Sequence, residues 1–198
     1  EASTAAPTDA ATATAVSVEP AATPTPAPAA TETATPTARD EPTRVVAPPD
    51  EVNVPEGFGV SVYAEGLRGP RMMTVGPDGH VYVAERGANR IIRLPDRDGD
   101  GIADGVDVVA DGLSSPSSLD FYEDGSLYVG ETTRVLRLTL TGSPAVADEV
   151  EVLVDGLPSG GHNTRTVLFS PDFAWLYVSI GSSCNVCTED DPRRAAIV

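Results

Sequence analysis

The 198-residue chain has no lysine; all 13 of its basic residues are arginine, and 30 acids leave a formal net charge of −17. No stretch gathers the arginines into a basic patch, so nothing points to a nucleic-acid partner. No apolar run approaches the ~18 residues of a membrane-spanning helix, and no transmembrane segment is expected. No useful length of helical periodicity occurs. Histidine is limited to His80 and His162, and cysteine to Cys184 and Cys187. No signal peptide is visible, and the first residue is Glu rather than Met. A segment upstream is therefore expected to have been removed or left out.

Aromatic residues are absent from positions 1–50, where Ala, Thr, Pro, Ser and Val dominate and nine of the 18 prolines fall. Such a stretch buries too little apolar surface to offset its ordering entropy, so 1–50 reads as a disordered linker. A Thr/Pro/Ala spacer at a mature N-terminus is typical of exported proteins. The expected location is periplasmic, extracellular or lipid-anchored at the cell surface. Residues 51–198 form the expected folded domain.

Internal repetition gives the architecture of that domain. "VSVYAEGLRGP", "VDVVADGLSSP" and "VEVLVDGLPSG" share a Gly-Leu pair, at Gly66-Leu67, Gly112-Leu113 and Gly156-Leu157. Two alternating runs around a tight turn follow each pair: "RMMTVGPDGHVYVAE", "SSLDFYEDGSLYVGE" and "RTVLFSPDFAWLYVSI". The Asp-Gly turns are hairpin signals. A third strand comes next in each unit, "NRIIRL", "TRVLRL" and "RRAAIV", and in the first two a fourth leads to the following Gly-Leu. Four antiparallel strands per unit of roughly 45 residues predict an all-β fold of β-propeller blades. Blade one covers 66–110 and blade two 112–154, while blade three stops at its third strand. Residues 51–64 are expected to add one outer strand. Closure of a ring needs about four blades or more. The chain is therefore expected to be the N-terminal portion, about two and a half blades, of a larger propeller.

With strands lettered A (inner) to D (outer), the D-to-A and B-to-C loops share one face of the ring. His162 lies in a D-to-A loop, and Cys184 and Cys187 lie in the B-to-C loop of the same blade. Both loops are longer in blade three: Leu157 to Arg165 spans eight residues where Leu67 to Arg71 spans four. Insertions on one face of a repeat array mark a binding face. An imidazole titrates near working pH, so His162 is a candidate general base. Arg71 and Arg165 head equivalent A strands. Paired guanidiniums there suit a polycarboxylate ligand, with blade-to-blade salt bridging as the alternative.

"DRDGDGIAD" matches the Asp-x-Asp-x-Asp-Gly part of a calcium loop, with Asp96, Asp98, Asp100 and Asp104 as candidate Ca²⁺ ligands. The closing bidentate Glu of an EF-hand is absent; Asp104 or Asp107 is placed to substitute. This C-to-D loop lies on the face away from His162, so an ion there is structural. The alternative is a solvated acidic turn. Cys184-x-x-Cys187 lacks the following His of a haem attachment site. One pair is also too few for a four-sulfur zinc site, and in an exported protein a disulfide is expected.

"GGHNTRTVLFSPDFAWLYVSIGSSCNVCTEDDPRRAAI" resembles the glucose/sorbosone dehydrogenase family. "GFGVSVYAEGLRGPRMMTVGPDGHVYVAERGANRIIRLPDRDGDGIAD" is similar to the opening blade of its sorbosone dehydrogenase branch. The resemblance covers about residues 52–198. It implies a six-bladed propeller using pyrroloquinoline quinone (PQQ) to oxidise a small-molecule sugar, with electrons passed on to an acceptor. His162 matches by position the histidine that takes the proton from the sugar hydroxyl. Arg165 is a weaker match to cofactor-side residues. Further cofactor contacts are implied in later blades. "PDFAW" departs from the expected Pro-Asp-Gly turn. Two other classes remain: a non-catalytic secreted carbohydrate- or protein-binding propeller, and a calcium-dependent lactonase-like propeller.

Overall fold

The computed structural model describes residues 52–198. The described residues all lie in one unit. The linker expected over 1–50 lies outside them.

Three antiparallel meanders follow one another. Blade one is β1 (Pro70–Val75), β2 (Val81–Glu85), β3 (Arg90–Leu94) and β4 (Asp107–Ala110), paired in that order. Blade two is β5 (Ser118–Phe121), β6 (Leu127–Gly130), β7 (Val135–Thr141) and β8 (Val146–Val154). Blade three is β9 (Val167–Phe169), β10 (Leu176–Ile180) and β11 (Ala196–Ile197). These are β-propeller blades, and the strand positions follow the sequence repeats.

Residues 52–64 differ from expectation: they contain no strand. Pro55, Gly57 and Gly59 interrupt the stretch, and blade one already has its four strands. The alternating "VSVYA" instead docks through Tyr63. Its hydroxyl donates to Leu94 O at 3.1 Å, and its carbonyl accepts from Ala103 N at 2.8 Å.

Blade stacking explains why the middle strands are so apolar. Tyr82, Ala84, Ile91 and Val109 of blade one interleave with Leu119, Leu127, Val129, Leu136 and Leu138 of blade two. Val135 and Leu157 pack with Val167, Val178 and Ile180 to join blade three. Each Val, Leu or Ile among them contributes about 1.5–3 kcal/mol on burial. The inner strands add polar stitching. Ser118 Oγ accepts from Val167 N at 3.0 Å, and Asp120 Oδ2 accepts from Phe169 N at 2.8 Å.

Each A-to-B turn closes the same way. Gly79, Gly125 and Phe173 donate their backbone N–H to Gly76, Tyr122 and Ser170 carbonyls at 2.9, 3.0 and 2.9 Å. All three adopt left-handed backbone, with φ of 81°, 83° and 55°. The "PDFAW" departure therefore keeps the glycine geometry with a phenylalanine. The ring of Phe173 packs on Tyr122, centroids 5.5 Å apart, and on Phe169 at 6.0 Å.

Candidate active site on the loop face

The D-to-A and B-to-C loops form one continuous hydrogen-bonded rim. Arg86 N and Gly87 N donate to Gly69 O and Arg68 O, Leu113 N to Asn89 O, Leu157 N to Thr133 O, and His162 N to Ser182 O. His162, Arg71, Arg165 and the cysteines all lie in or beside these loops. The Asp96–Asp104 loop lies between β3 and β4, at the opposite end of the strands.

Ion pairing sorts the arginines. Both arginines of "NRIIRL" and "TRVLRL" are held by acids at matching registers. Arg90 pairs with buried Glu85 and Arg134 with buried Glu131, the latter at 2.6 Å. Arg93 pairs with Asp78 at 2.7 Å and Arg137 with Asp124 at 2.9 Å. Arg97 lies near Asp104 and Asp107, and Arg193 pairs with Asp191. Among the described residues, Arg68, Arg71, Arg86, Arg165 and Arg194 have no carboxylate partner. All five sit on or beside the His162 rim. The sequence gives a cue to this division, since the two paired arginines recur at fixed places in the third strand of each full blade.

Arg71 and Arg165, at equivalent places in the repeat, differ in exposure, and Arg165 is buried. It is only 1% exposed. Its Nη1 donates to Thr164 O at 2.9 Å and its Nη2 to Pro158 O. Its Nε is buried without a hydrogen-bond partner. Burial lowers its pKa from the usual guanidinium value, and the neighbouring Arg194 adds to the shift. Arg194 donates to Ser159 O and, at 3.4 Å, to Gly160 O. The enlarged D-to-A loop is thus ordered by guanidiniums bound to its carbonyls. Arg71 is exposed.

His162 is exposed, and its Nε2 lies 2.8 Å from Asn185 Oδ1. Cys184 and Cys187 are joined in a disulfide, with Asn185 inside the small ring it closes. Neither Asn185 nor Asn163, which accepts from Arg86 Nη2 at 3.0 Å, stands out in the sequence, because asparagine is equally at home in any turn.

Three of the four expected metal-binding acids come together: Asp96, Asp98 and Asp104 each offer an oxygen, all within 4.8 Å of one another. Asp100 departs from the expected set. Its Oδ1 accepts from Ile102 N at 2.8 Å, binding its own loop. The cluster lies in the loop between β3 and β4, away from His162.

Stacked four-stranded meanders with their loops gathered into one rim define a β-propeller protein. Residues 48–196 match the family described as a domain of unknown function, DUF7133, and the chain belongs to that family. No curated protein matches it. Among solved structures it is similar to the holo form of the pyranose dehydrogenase PQQ domain from Coprinopsis cinerea. That match has a TM-score of 0.63 and 24% identity, over 69% of this chain and 34% of that one. It is also similar to the calcium structure of a Trichoderma reesei enzyme of carbohydrate-active family AA12, with TM-score 0.60 and 23% identity, over 72% and 36% of the two chains. The chain spans about a third of the length of these structures. At such identities the likeness concerns the fold.

Proposed function

We propose that this chain carries part of the site of a quinone-dependent sugar oxidoreductase, with His162 as the general base. The observation that carries the reading is the gathering, on the histidine rim, of arginines that have no carboxylate partner among the described residues. Arginines left without carboxylates are matched to an anionic group, and a polycarboxylated quinone such as PQQ is one. The buried, unpartnered Nε of Arg165 fits the same donor set. The solved structures of similar fold include one described as a PQQ domain of a pyranose dehydrogenase.

In this reading Arg71 binds a carboxylate at the surface, and Arg165 supplies positive potential from beneath while it holds the loop bearing His162. His162 takes the proton from a sugar hydroxyl or hemiacetal. A PQQ held by Arg71 and Arg165 would supply the hydride acceptor, with a further electron acceptor beyond it. Asp96, Asp98 and Asp104 hold a structural Ca²⁺. The Cys184–Cys187 disulfide supports a location outside the cytoplasm.

The test is dye reduction by the full-length, PQQ-reconstituted protein across a panel of aldoses. Loss of a positioned base costs about 10²–10⁴-fold in rate. His162→Ala should lower turnover by that order with quinone binding retained. If the wild type binds PQQ yet reduces no dye with any sugar, the catalytic reading fails and a binding propeller takes its place.

A further inference from the structure

Two loops of blade three are built around one contact, that of His162 with Asn185. His162 N donates to Ser182 O at 2.9 Å, tying the loops together one step from the imidazole. Glycine permits the approach. Gly161, at φ 58°, lies so close that a Cβ would run into the carbonyls of Ser182 and Ser183, and a Cβ on Gly181 would run into His162 O. Ser183 N is held by Glu189 Oε1 at 2.8 Å, and Ser183 Oγ lies 3.1 Å from Cys187 Sγ. The disulfide closes a ring of four residues with Asn185 in it. An exposed amide is thereby kept in place by covalent and hydrogen-bonded constraints at both ends.

The chemistry of that contact is directional. An amide oxygen only accepts, so an imidazole nitrogen 2.8 Å from Asn185 Oδ1 must carry the proton. A neutral imidazole has one proton, and the hydrogen bond made by one nitrogen fixes the state of the other. With Nε2 protonated, Nδ1 holds the lone pair. Nδ1 has no hydrogen-bond partner among the described residues.

We propose that Asn185 is a positioning residue that locks His162 as the Nε2–H tautomer, so that Nδ1 is the nitrogen that takes the substrate proton, and that the Cys184–Cys187 disulfide holds Asn185 to this task. The proton of the substrate O–H passes to Nδ1. The resulting imidazolium keeps its Nε2–H bond to Asn185 Oδ1, which stabilises the positive charge. The proposal rests on His162 being the base; the contact and its tautomer stand independently of that.

The experiment is nitrogen-15 NMR of the whole protein, following the His162 ring through a pH titration. The charged groups on the segments around it are Arg86, Arg165, Glu189, Asp190, Asp191, Arg193 and Arg194, and all are kept. The wild type should show a slowly exchanging Nε2–H. Asn185→Ala, and the double change Cys184→Ser with Cys187→Ser, should speed its exchange to that of a free imidazole. Asn185→Asp keeps an acceptor, so it should retain the proton signal. In the PQQ-reconstituted protein, Asn185→Ala should lower kcat about 10–100-fold with KM little changed. Asn185→Asp should recover part of the loss with a shifted pH profile. An Nδ1–H tautomer in the wild type, or a His162 ring-proton exchange rate unaltered by Asn185→Ala, overturns the proposal. Absence of turnover in a wild type that shows the Nε2–H signal overturns the catalytic reading and leaves the contact standing.

Discussion

Arg86 and Asn163, 77 positions apart in the chain, meet at 3.0 Å. The B-to-C corner of blade one thereby reaches the enlarged D-to-A loop of blade three, directly beside His162. A half-buried guanidinium bonded to a neutral amide contributes about 1–2 kcal/mol. Arg86→Ala should therefore destabilise the fold only modestly. Its clearer effect should be faster hydrogen exchange in residues 159–164, with blade two unaffected. Equal protection of that loop in variant and wild type would mean that Arg165 and Arg194 order it unaided.

Glu85 should make stability depend on acid pH. Burial alone would raise its pKa, but the Arg90 guanidinium and the Arg68 N–H, at 2.5 Å, outweigh it and hold the carboxyl below its ordinary 4.5. A carboxylate held down in the fold adds stability above its unfolded value, and that stability is lost as pH falls through the folded value. Glu85→Gln should cost about 1–3 kcal/mol at neutral pH. Urea melts should show the gap between variant and wild type narrowing below pH 4.5. A gap independent of pH would assign the cost to packing alone.

Phe173 separates backbone strain from packing. A side chain in left-handed backbone costs about 1–2 kcal/mol relative to glycine. The φ of 55° carries that cost, and the ring offsets it by packing on Tyr122 and Phe169. Phe173→Ala keeps the strain and loses the ring, whereas Phe173→Gly loses both. Gly should thus be more stable than Ala here by about 1 kcal/mol. Thermal melts giving the opposite order would show that the turn has changed type.

The blades were readable from the chain because the repeat is written at several levels together. Gly66, Gly112 and Gly156 recur, the Asp turns recur, and Arg90 and Arg134 recur opposite Glu85 and Glu131. The failed strand over 52–64 has a plain cause: alternation reports a side-chain pattern, and a strand also needs a neighbour with free backbone groups. His162 was found from its loop. Its partner Asn185 and the burial of Arg165 were not legible, because loop backbone geometry decides both and no periodicity records it. Spacing also does not separate Asp100 from Asp96, Asp98 and Asp104, and all four accept from backbone N–H groups of the same loop.

The acidic loop gives a metal-dependent prediction. Asp96 is already oriented, its two oxygens accepting from Gly99 N at 2.7 Å and Gly101 N at 3.0 Å. A ligand that binds only the folded state adds about 2.7 kcal/mol at a hundred times its Kd. Calcium should raise the melting temperature, chelator should reverse the rise, and Asp98→Asn should abolish it while leaving the chelated protein unchanged. Asp100→Asn should weaken the response less. Identical melts with calcium and chelator would reduce the loop to a solvated turn.

Salt should distinguish the two arginines assigned to the anionic cofactor. Arg71 is exposed, so its attraction for a carboxylate is screened by ions, over a Debye length of about 10 Å at 0.1 M. Arg165 is buried at 1% exposure, and its charge acts through protein rather than water. A charge-assisted hydrogen bond is worth about 1.5–3 kcal/mol, or roughly 10–100-fold in affinity. Arg71→Ala should weaken PQQ binding by that order at low ionic strength, with the loss shrinking as salt is added. Arg165→Met should weaken it by an amount that varies little with salt, and should also loosen residues 158–160, whose carbonyls it and Arg194 hold. Fluorescence titration of PQQ at low and high salt separates these outcomes. Wild-type affinity in Arg71→Ala at low salt would remove Arg71 from the site. A strongly salt-dependent loss in Arg165→Met would mean that its guanidinium leaves the interior to meet the ligand directly.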